Sequence, residues 1–450
     1  MSPITPQQII VVGAGFGGLT AAIESRRRKC DVTLVEKYQN SSAYGDIIDF
    51  YANAGRIIAV WDDGKVADEL LEICITEAKH MKILKANGDL LHLDPWYHDE
   101  SHARLQFAGQ RGKMWQVLHN YAVRLGVVMR FGLGVEDYYE NDDGAGVILA
   151  NGDRIEGDCV IAADGPKSKA REKVLNLRDE KTNSGFAIFR SYFPITEEVR
   201  NHPLLQEYLN KEEDVVKIWI SKNSHMLAYS WNKGQQFAWV LTHPVSRLAP
   251  CPNTDKDDIA ESWSFKAEKE DVRGFLQEYH PECHAIVDVT PPDNLIDYKL
   301  IWRDELKTWL SPKARIVLIG DAAHCHLPTS GQGGSQAMED GAVAAVCLNL
   351  AKGDVPLALR VMERIRFNRS RVTHQAGSAI RELWHGDHWD VLDADPEKVS
   401  QARGDWVLDF DPVQDAEHHF NHVAQDVLSG KPGTIEELSV PAGGTYDALV

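Results

Sequence analysis

Ile9–Lys37, IIVVGAGFGGLTAAIESRRRKCDVTLVEK, constrains the fold more than any other stretch, because it reads without a gap as strand, glycine turn, helix, strand and terminal acid. Ile9, Ile10, Val11 and Val12 form the continuous apolar run that a parallel strand buried on both faces requires. In the turn that follows, Gly13 permits the sharp change of direction and Gly15 keeps a side chain away from a pyrophosphate. Gly18 lets the helix lie close to the strand, so that the free N–H groups of the helix start face a phosphate. Arg26, Arg27, Arg28 and Lys29 suit the far end of that helix, where the macrodipole favours cations. Glu36 closes the second strand, 18 residues after Gly18, near the ~20 residues expected of an acid that binds a ribose hydroxyl. The unit is read as ADP-binding, and at this point NAD and FAD both fit.

Composition narrows the class. A chain of 450 residues exceeds one core and is expected to form two or three units. With 48 basic against 67 acidic residues, the net charge of −19 repels a phosphate backbone, so no nucleic-acid partner is expected. Seven cysteines without a CxxC pair indicate neither a disulfide framework nor a zinc site. His324 and His326 flank Cys325, but no further Cys/His cluster completes a ligand set, and no metal is expected. The apolar run Ile9–Ile23 carries four glycines and falls short of the ~20 residues of a membrane span. A cytoplasmic protein without a membrane span is the expectation.

Further along, Gly45–Trp61 reads as a polar loop passing into a helical segment, and Val66–Ala78 continues in helical style. Asn87–Gly88 marks a hairpin within Met81–Leu93, and Arg111–Leu125 is an amphipathic helix ended by Gly126. Asp158–Ala163 is a short buried strand with Asp164 and Gly165 beyond its end. From Phe186 to His243 four strand-like runs separated by turn residues predict an antiparallel sheet. Its Trp219, Trp231 and Trp239 fit either an aromatic pocket or the core. A charged helical segment is read over Asp257–Tyr279, a buried parallel strand over Ala314–Ile319 and largely helical structure over Met338–Val372. After Gly386 the periodicity is weak, and the chain ends in a glycine-containing stretch read as mobile.

The second informative stretch is Gly320–Asp340, GDAAHCHLPTSGQGGSQAMED, directly after that parallel strand. Asp321 lies at a strand's carboxyl end, and Gly331, Gly333 and Gly334 allow close backbone approach before a helix whose positive end faces the ligand.

GDAAHxxxPxxGQG, GAGFGG with Glu36, and the string Asp164, Gly165, Ser168 and Arg171 together resemble the FAD-dependent aromatic hydroxylases, the salicylate-hydroxylase-like group A flavoprotein monooxygenases. By that resemblance Gly13, Gly15, Gly18 and Glu36 hold the ADP half of FAD. Arg111 reaches the phosphates and ribityl chain, Asp164 serves FAD and nicotinamide, Asp321 the ribityl or pyrophosphate region, and Gly331, Gly333 and Gly334 the isoalloxazine. Gly45–Asp46 and the FAIFR string ending in Arg190 look most like fungal secondary-metabolite members, including indole-alkaloid monooxygenases, which implies catalytic roles for Arg190 and Asp46 beside the substrate. Asp49 and Tyr51 depart from the small or apolar residue and proline found in many relatives.

The resemblance implies an α/β fold: a Rossmann-type FAD-binding domain, an inserted mostly antiparallel β-sheet substrate domain and a helical C-terminal region. The expected division assigns 1–80, 108–178 and 291–350 to FAD binding, 81–107 and 179–290 to the substrate domain, and 351–450 to the C-terminal region. The implied reaction hydroxylates or epoxidises an electron-rich phenolic or indole small molecule with O2 and NADPH or NADH, the nicotinamide binding transiently because the chain has one dinucleotide fingerprint. A monomer or homodimer is expected. The alternatives are a flavin-dependent halogenase, whose WxWxIP string is absent here, and a non-catalytic FAD-binding protein.

Overall fold

The computed structural model describes residues 6–39, 47–177, 182–245, 265–302, 305–386, 388–400, 404–431 and 440–441. At its centre is a five-stranded sheet ordered Ile316–Leu318, Cys159–Ala162, Gln8–Val12, Asp31–Glu36, Val128–Phe131, with every pairing parallel. Strands buried on both faces need nearly continuous apolar sequence, and Ile9, Ile10, Val11, Cys159, Val160, Ile161, Val317 and Leu318 supply it with almost no exposed surface. The helices Phe16–Arg27, Arg111–Arg124 and Gly333–Leu350 pack around it in one apolar cluster.

A second sheet of eight strands runs Phe265–Lys266, Ile296–Trp302, Thr182–Pro194, Gln236–Pro244, Ser224–Trp231, Val215–Ser221, His80–Lys85, Leu90–Pro95. Its pairings are antiparallel except that of Val215–Ser221 with His80–Lys85, which is parallel. The hairpin read at Asn87–Gly88 is therefore an edge of this sheet, with Gly88 at φ +98°.

Strand parity decides what each face does, because alternate side chains point to opposite sides. Phe189 and Phe193 face a core shared with Trp219 and Trp239. Ile188, Arg190 and Tyr192 face the other way, Ile188 and Arg190 opposite Tyr298 and Ile296 of the neighbouring strand. Trp231 shares the face of Tyr192 and stacks on it at 5.9 Å, while its indole N–H donates to the Ile73 carbonyl. All three tryptophans are core, the commoner fate of the two considered.

Several local expectations change. Ile47–Phe50 is a strand paired with Phe107–Gln110, and the helix after it is Ala52–Ala59. The helix Lys65–Leu71 stops short of Ala78, since Cys74 leaves it to bridge Gly109. Of Asp257–Tyr279, residues 257–264 lie outside the described residues, and Phe265–Lys266 is strand before the short helix Lys269–Arg273. The region after Gly386 contains a 17-residue helix, Pro412–Leu428, capped by the Asp411 carboxylate, which accepts from the Val413 and Gln414 N–H groups. Its Ala416, Phe420, Val423 and Ala424 lie one to two turns apart and join the central core. The final glycine-containing stretch, 442–450, lies outside the described residues. Among the described residues no helix is long and apolar enough to cross a membrane.

Candidate active site

A cleft of ≈ 730 Å³ opens at the carboxyl ends of the parallel strands, within the size range of cofactor sites. Gly13, Gly15, Gly18, Glu36, Arg111, Asp164, Asp321, Gly333 and Gly334 all line it. The glycine turn, Glu36, Asp164 and the Asp321 loop meet because each stands at or just past the end of a strand of one parallel sheet, the arrangement in which open α/β sheets bind ligands, while Arg111 enters from the end of Phe107–Gln110, a strand of a separate two-stranded sheet.

Gly15 is the decisive position. It caps the Phe16–Arg27 helix with φ −67° and ψ 176°, and a Cβ built there meets nothing within 4 Å. The space is the open cleft itself, which a ligand's phosphate can occupy and a side chain would fill. The first intrahelical bond runs from Leu19 N–H to the Gly15 carbonyl at 2.8 Å, so the amides before it stay available for an anion. Across the turn, the Glu36 carboxylate accepts from Ala14 N–H at 2.8 Å and Tyr38 N–H at 3.0 Å. Each carboxylate oxygen keeps a further lone pair for a ribose hydroxyl. An anion cradle at a helix start, an acid beside it and a cleft that continues past them to Asp321 and Gly334 fit FAD.

Arg111 opens the Arg111–Arg124 helix, with its guanidinium 5.7 Å from the Phe16 ring centre. Asp164 accepts from the Tyr138 hydroxyl at 3.0 Å and from Lys169 N–H at 3.2 Å, and burial pushes its carboxyl above the usual carboxylate range against those bonds. Arg171, from the same DGxxSxxR string, donates to the carbonyls of Ala322 and Ala323 at 2.7 and 2.9 Å. It ties the Asp164 loop to the Asp321 loop.

Two assigned residues stand elsewhere. Gly331 does not line the cleft; at φ +61° it supplies the left-handed turn between Pro328–Ser330 and the Gly333–Leu350 helix, a conformation that strains other residues. Arg190, 4% exposed, does not line the cleft either, and sits over the Tyr298 ring at 5.8 Å. Asp46 lies outside the described residues, as does Gly45. Tyr51, which departs from the proline that the family resemblance implies, is buried and donates its backbone N–H to Ser335 Oγ at 3.3 Å, a bond that a proline could not make.

The sequence reading missed two features. Trp115 lines the cleft and donates its indole N–H to the Ala14 carbonyl at 2.6 Å, bracing the glycine turn; its place one helical turn after Arg111 was the available signal. The other is a fully buried ion cluster behind the Gly331–Gly334 loop. Glu339 accepts from Arg369 Nε at 2.8 Å, from Asn53 Nδ2 at 2.5 Å and from Arg366 Nη1. Asp340 accepts from Arg366 Nε at 2.9 Å, and Asn53 Nδ2 also reaches Gln332 Oε1 at 2.9 Å. Burial alone would raise Glu339, but the guanidinium groups of Arg369 and Arg366 outweigh it and hold the carboxyl below its usual range. Two acids inside an otherwise apolar helix, and arginines three apart in RIRFNRSR, were the sequence signal.

His324 and His326 are engaged with protein partners, Asp340 at 2.6 Å and Ser370 Oγ at 3.0 Å. Among the described residues no group of three or more His, Cys, Asp or Glu side chains is placed to hold a metal ion.

Comparison with known proteins agrees with this geometry. A family described as FAD binding domain matches residues 7–353. A flavin-dependent monooxygenase of Aspergillus ustus is 32% identical, over 94% of this chain and 93% of its own. The crystal structure of CtdE in complex with FAD and a substrate has a TM-score of 0.84 at 30% identity, covering 94% of this chain and 100% of that one. A salicylate hydroxylase substrate complex, 21% identical with a TM-score of 0.72 over 95% of this chain and 99% of that one, shows the same fold. Since the family match takes in both glycine loops and the relatives align almost from end to end, the chain belongs to the FAD-dependent monooxygenases.

Proposed function

We propose that this monooxygenase hydroxylates or epoxidises an electron-rich phenolic or indole small molecule of secondary metabolism, with NADPH or NADH as transient hydride donor. The observation that carries the reading is the sheet face around Arg190. Ile188, Tyr298 and Leu300 form a separate apolar cluster there, with Phe186 and Val240 packed against it, and Arg190 stands over Tyr298. Tyr192, two residues along the same strand and hence on the same face, lies 5.9 Å from Lys113 Nζ, and Lys113 is in the helix that starts at the cleft residue Arg111. An aromatic surface with a buried cation suits a flat ring bearing an oxygen or ring N–H.

FAD, when bound and reduced, supplies the activated oxygen. The glycine turn and Glu36 fix the adenosine end, and the apolar sheet face orients the arene and keeps water from it. Arg190 donates to the oxygen on which negative charge develops. Asp46 orients that arginine or moves the proton. We place the protein in the cytoplasm as a monomer or homodimer; the six described cysteines form no disulfide with one another, as reducing surroundings favour.

The test is to purify the yellow protein and record which phenols and indoles accelerate NADPH or NADH consumption with a product heavier by one oxygen. Consumption that yields only hydrogen peroxide, or no stimulation by any compound, would leave a non-catalytic flavoprotein; a halide-dependent product would favour a halogenase. With a substrate in hand, Arg190→Ala and Asp46→Ala are each expected to keep FAD yet lose turnover by roughly a hundredfold, equivalent to ~2.7 kcal/mol. Full turnover with a lowered melting temperature would assign that residue to structure instead.

A further inference from the structure

We infer that Asp340 and His324 are positioning residues for the flavin, locking the turn Gly320–His324 so that Asp321 is presented to the cleft. This rests on the flavin reading of the cleft and names what holds its Asp321 side in shape. One carboxylate oxygen of Asp340, Oδ2, accepts from Gly320 N–H at 3.0 Å and from His324 Nε2 at 2.6 Å. The other, Oδ1, accepts from Arg366 Nε at 2.9 Å. An ionised carboxylate only accepts, so the proton is assigned to His324 Nε2.

The turn is closed twice more by its own backbone, because Ala323 N–H and His324 N–H both donate to the Gly320 carbonyl at 2.8 Å. Asp321 is the one acidic residue between the two anchor points on Asp340, and it lines the cleft. From the opposite side Arg171 holds the carbonyls of Ala322 and Ala323. Gly320, Ala322 and Ala323 of the turn are buried, and Asp321 is half-buried at the cleft.

The anchor is specific to an acid. Asn at position 340 would offer one oxygen and one amino group to three converging donors, so at least one buried N–H would face another donor. Asp340 and Glu339 are also neighbours on the same helix, and Glu339 holds Asn53, which reaches Gln332 in the Gly331–Gly334 loop. Both ends of the loop 320–334 are thus fixed from two adjacent residues, with Arg366 bridging them. The carboxylates and guanidinium groups of this network are paired, although Asn53 Oδ1 and His324 Nδ1 find no hydrogen-bond partner among the described residues, and so many converging charge-assisted bonds favour one geometry.

The experiment compares His324→Leu, His324→Gln and Asp340→Asn in the full-length protein. FAD is titrated into apoprotein by quenching of flavin fluorescence, and the visible spectrum and midpoint potential of the bound flavin are recorded. Loss of one charge-assisted hydrogen bond is expected to raise the FAD Kd about tenfold in His324→Leu and in Asp340→Asn, with altered vibronic structure in the flavin band. His324→Gln, which keeps an N–H donor, is expected within about twofold of the parent. If Asp340→Asn does not accumulate as folded protein, the two His324 variants decide the matter. A parental Kd and flavin spectrum in His324→Leu, even with a lower melting temperature, would overturn the inference, and so would a His324→Gln as impaired as His324→Leu. Failure of the parent protein itself to bind FAD would count against the flavin reading instead.

Discussion

Gly15→Val is expected to give a folded protein that no longer retains FAD. The backbone at Gly15 has φ −67°, accessible to any residue, and a Cβ there meets no atom within 4 Å. The added Cβ therefore creates no clash, and the poorer helix cap costs about 1 kcal/mol. What it does fill is the cradle in front of the first amides of the Phe16–Arg27 helix, where the pyrophosphate must approach to bond distance. We expect FAD affinity to fall at least about a hundredfold, or ~2.7 kcal/mol. Gly13→Ala is the contrasting control: a Cβ there would lie 2.3 Å from the Ala163 carbonyl oxygen at φ +100°, so that variant is expected to lose stability as well as flavin. Flavin absorbance after gel filtration, read with far-UV circular dichroism, separates the two; a Gly15→Val protein with stoichiometric FAD would remove the glycine turn from the cofactor site.

The largest stability effect is expected at Arg366, which is fully buried between Glu339 and Asp340. Arg366→Met preserves most of the volume but deprives two buried carboxylates of a shared cation, and the uncompensated charge is expected to cost ~3–5 kcal/mol. Arg369 still serves Glu339 and His324 still serves Asp340, which keeps the cost from growing further. Combining Arg366→Met with Glu339→Gln removes one charge of each sign, and the double variant is expected to be less destabilised than the two single changes added together. Thermal unfolding of the four proteins, each saturated with FAD, measures the coupling. Strict additivity, or a melting temperature for Arg366→Met equal to the parent's, would show that the cluster contributes little.

The features legible in the sequence were those written in contiguous residues. Ile9–Lys37 carried its own strand, turn, helix and acid, and every one of those elements is observed. The antiparallel run from Phe186 to His243 was legible for a similar reason, since alternation and turn residues act over a few positions. The Pro412–Leu428 helix was obscured by its acidic and histidine-rich exposed face, although the Asp411–Pro412 start was visible. Ile47–Phe50 was misread because its pairing partner, Phe107–Gln110, lies far along the chain.

The sequence by itself determined that a dinucleotide cofactor binds at a strand-to-helix glycine turn, because local backbone conformation and strand-end position suffice to specify that site. Only the tertiary structure decided how the second loop is held. Gly320, Asn53, Glu339, Asp340, Arg366 and Arg369 meet through the packing of helices distant in sequence. It also decided that Gly331 shapes its loop without lining the cleft, and that Trp219 and Trp239 face the core while Arg190 faces away from it. The physical reason is range. Propensity, periodicity and turn chemistry act between neighbours, whereas buried charges are tolerated only where distant partners neutralise them, and those partners have no fixed spacing in the chain.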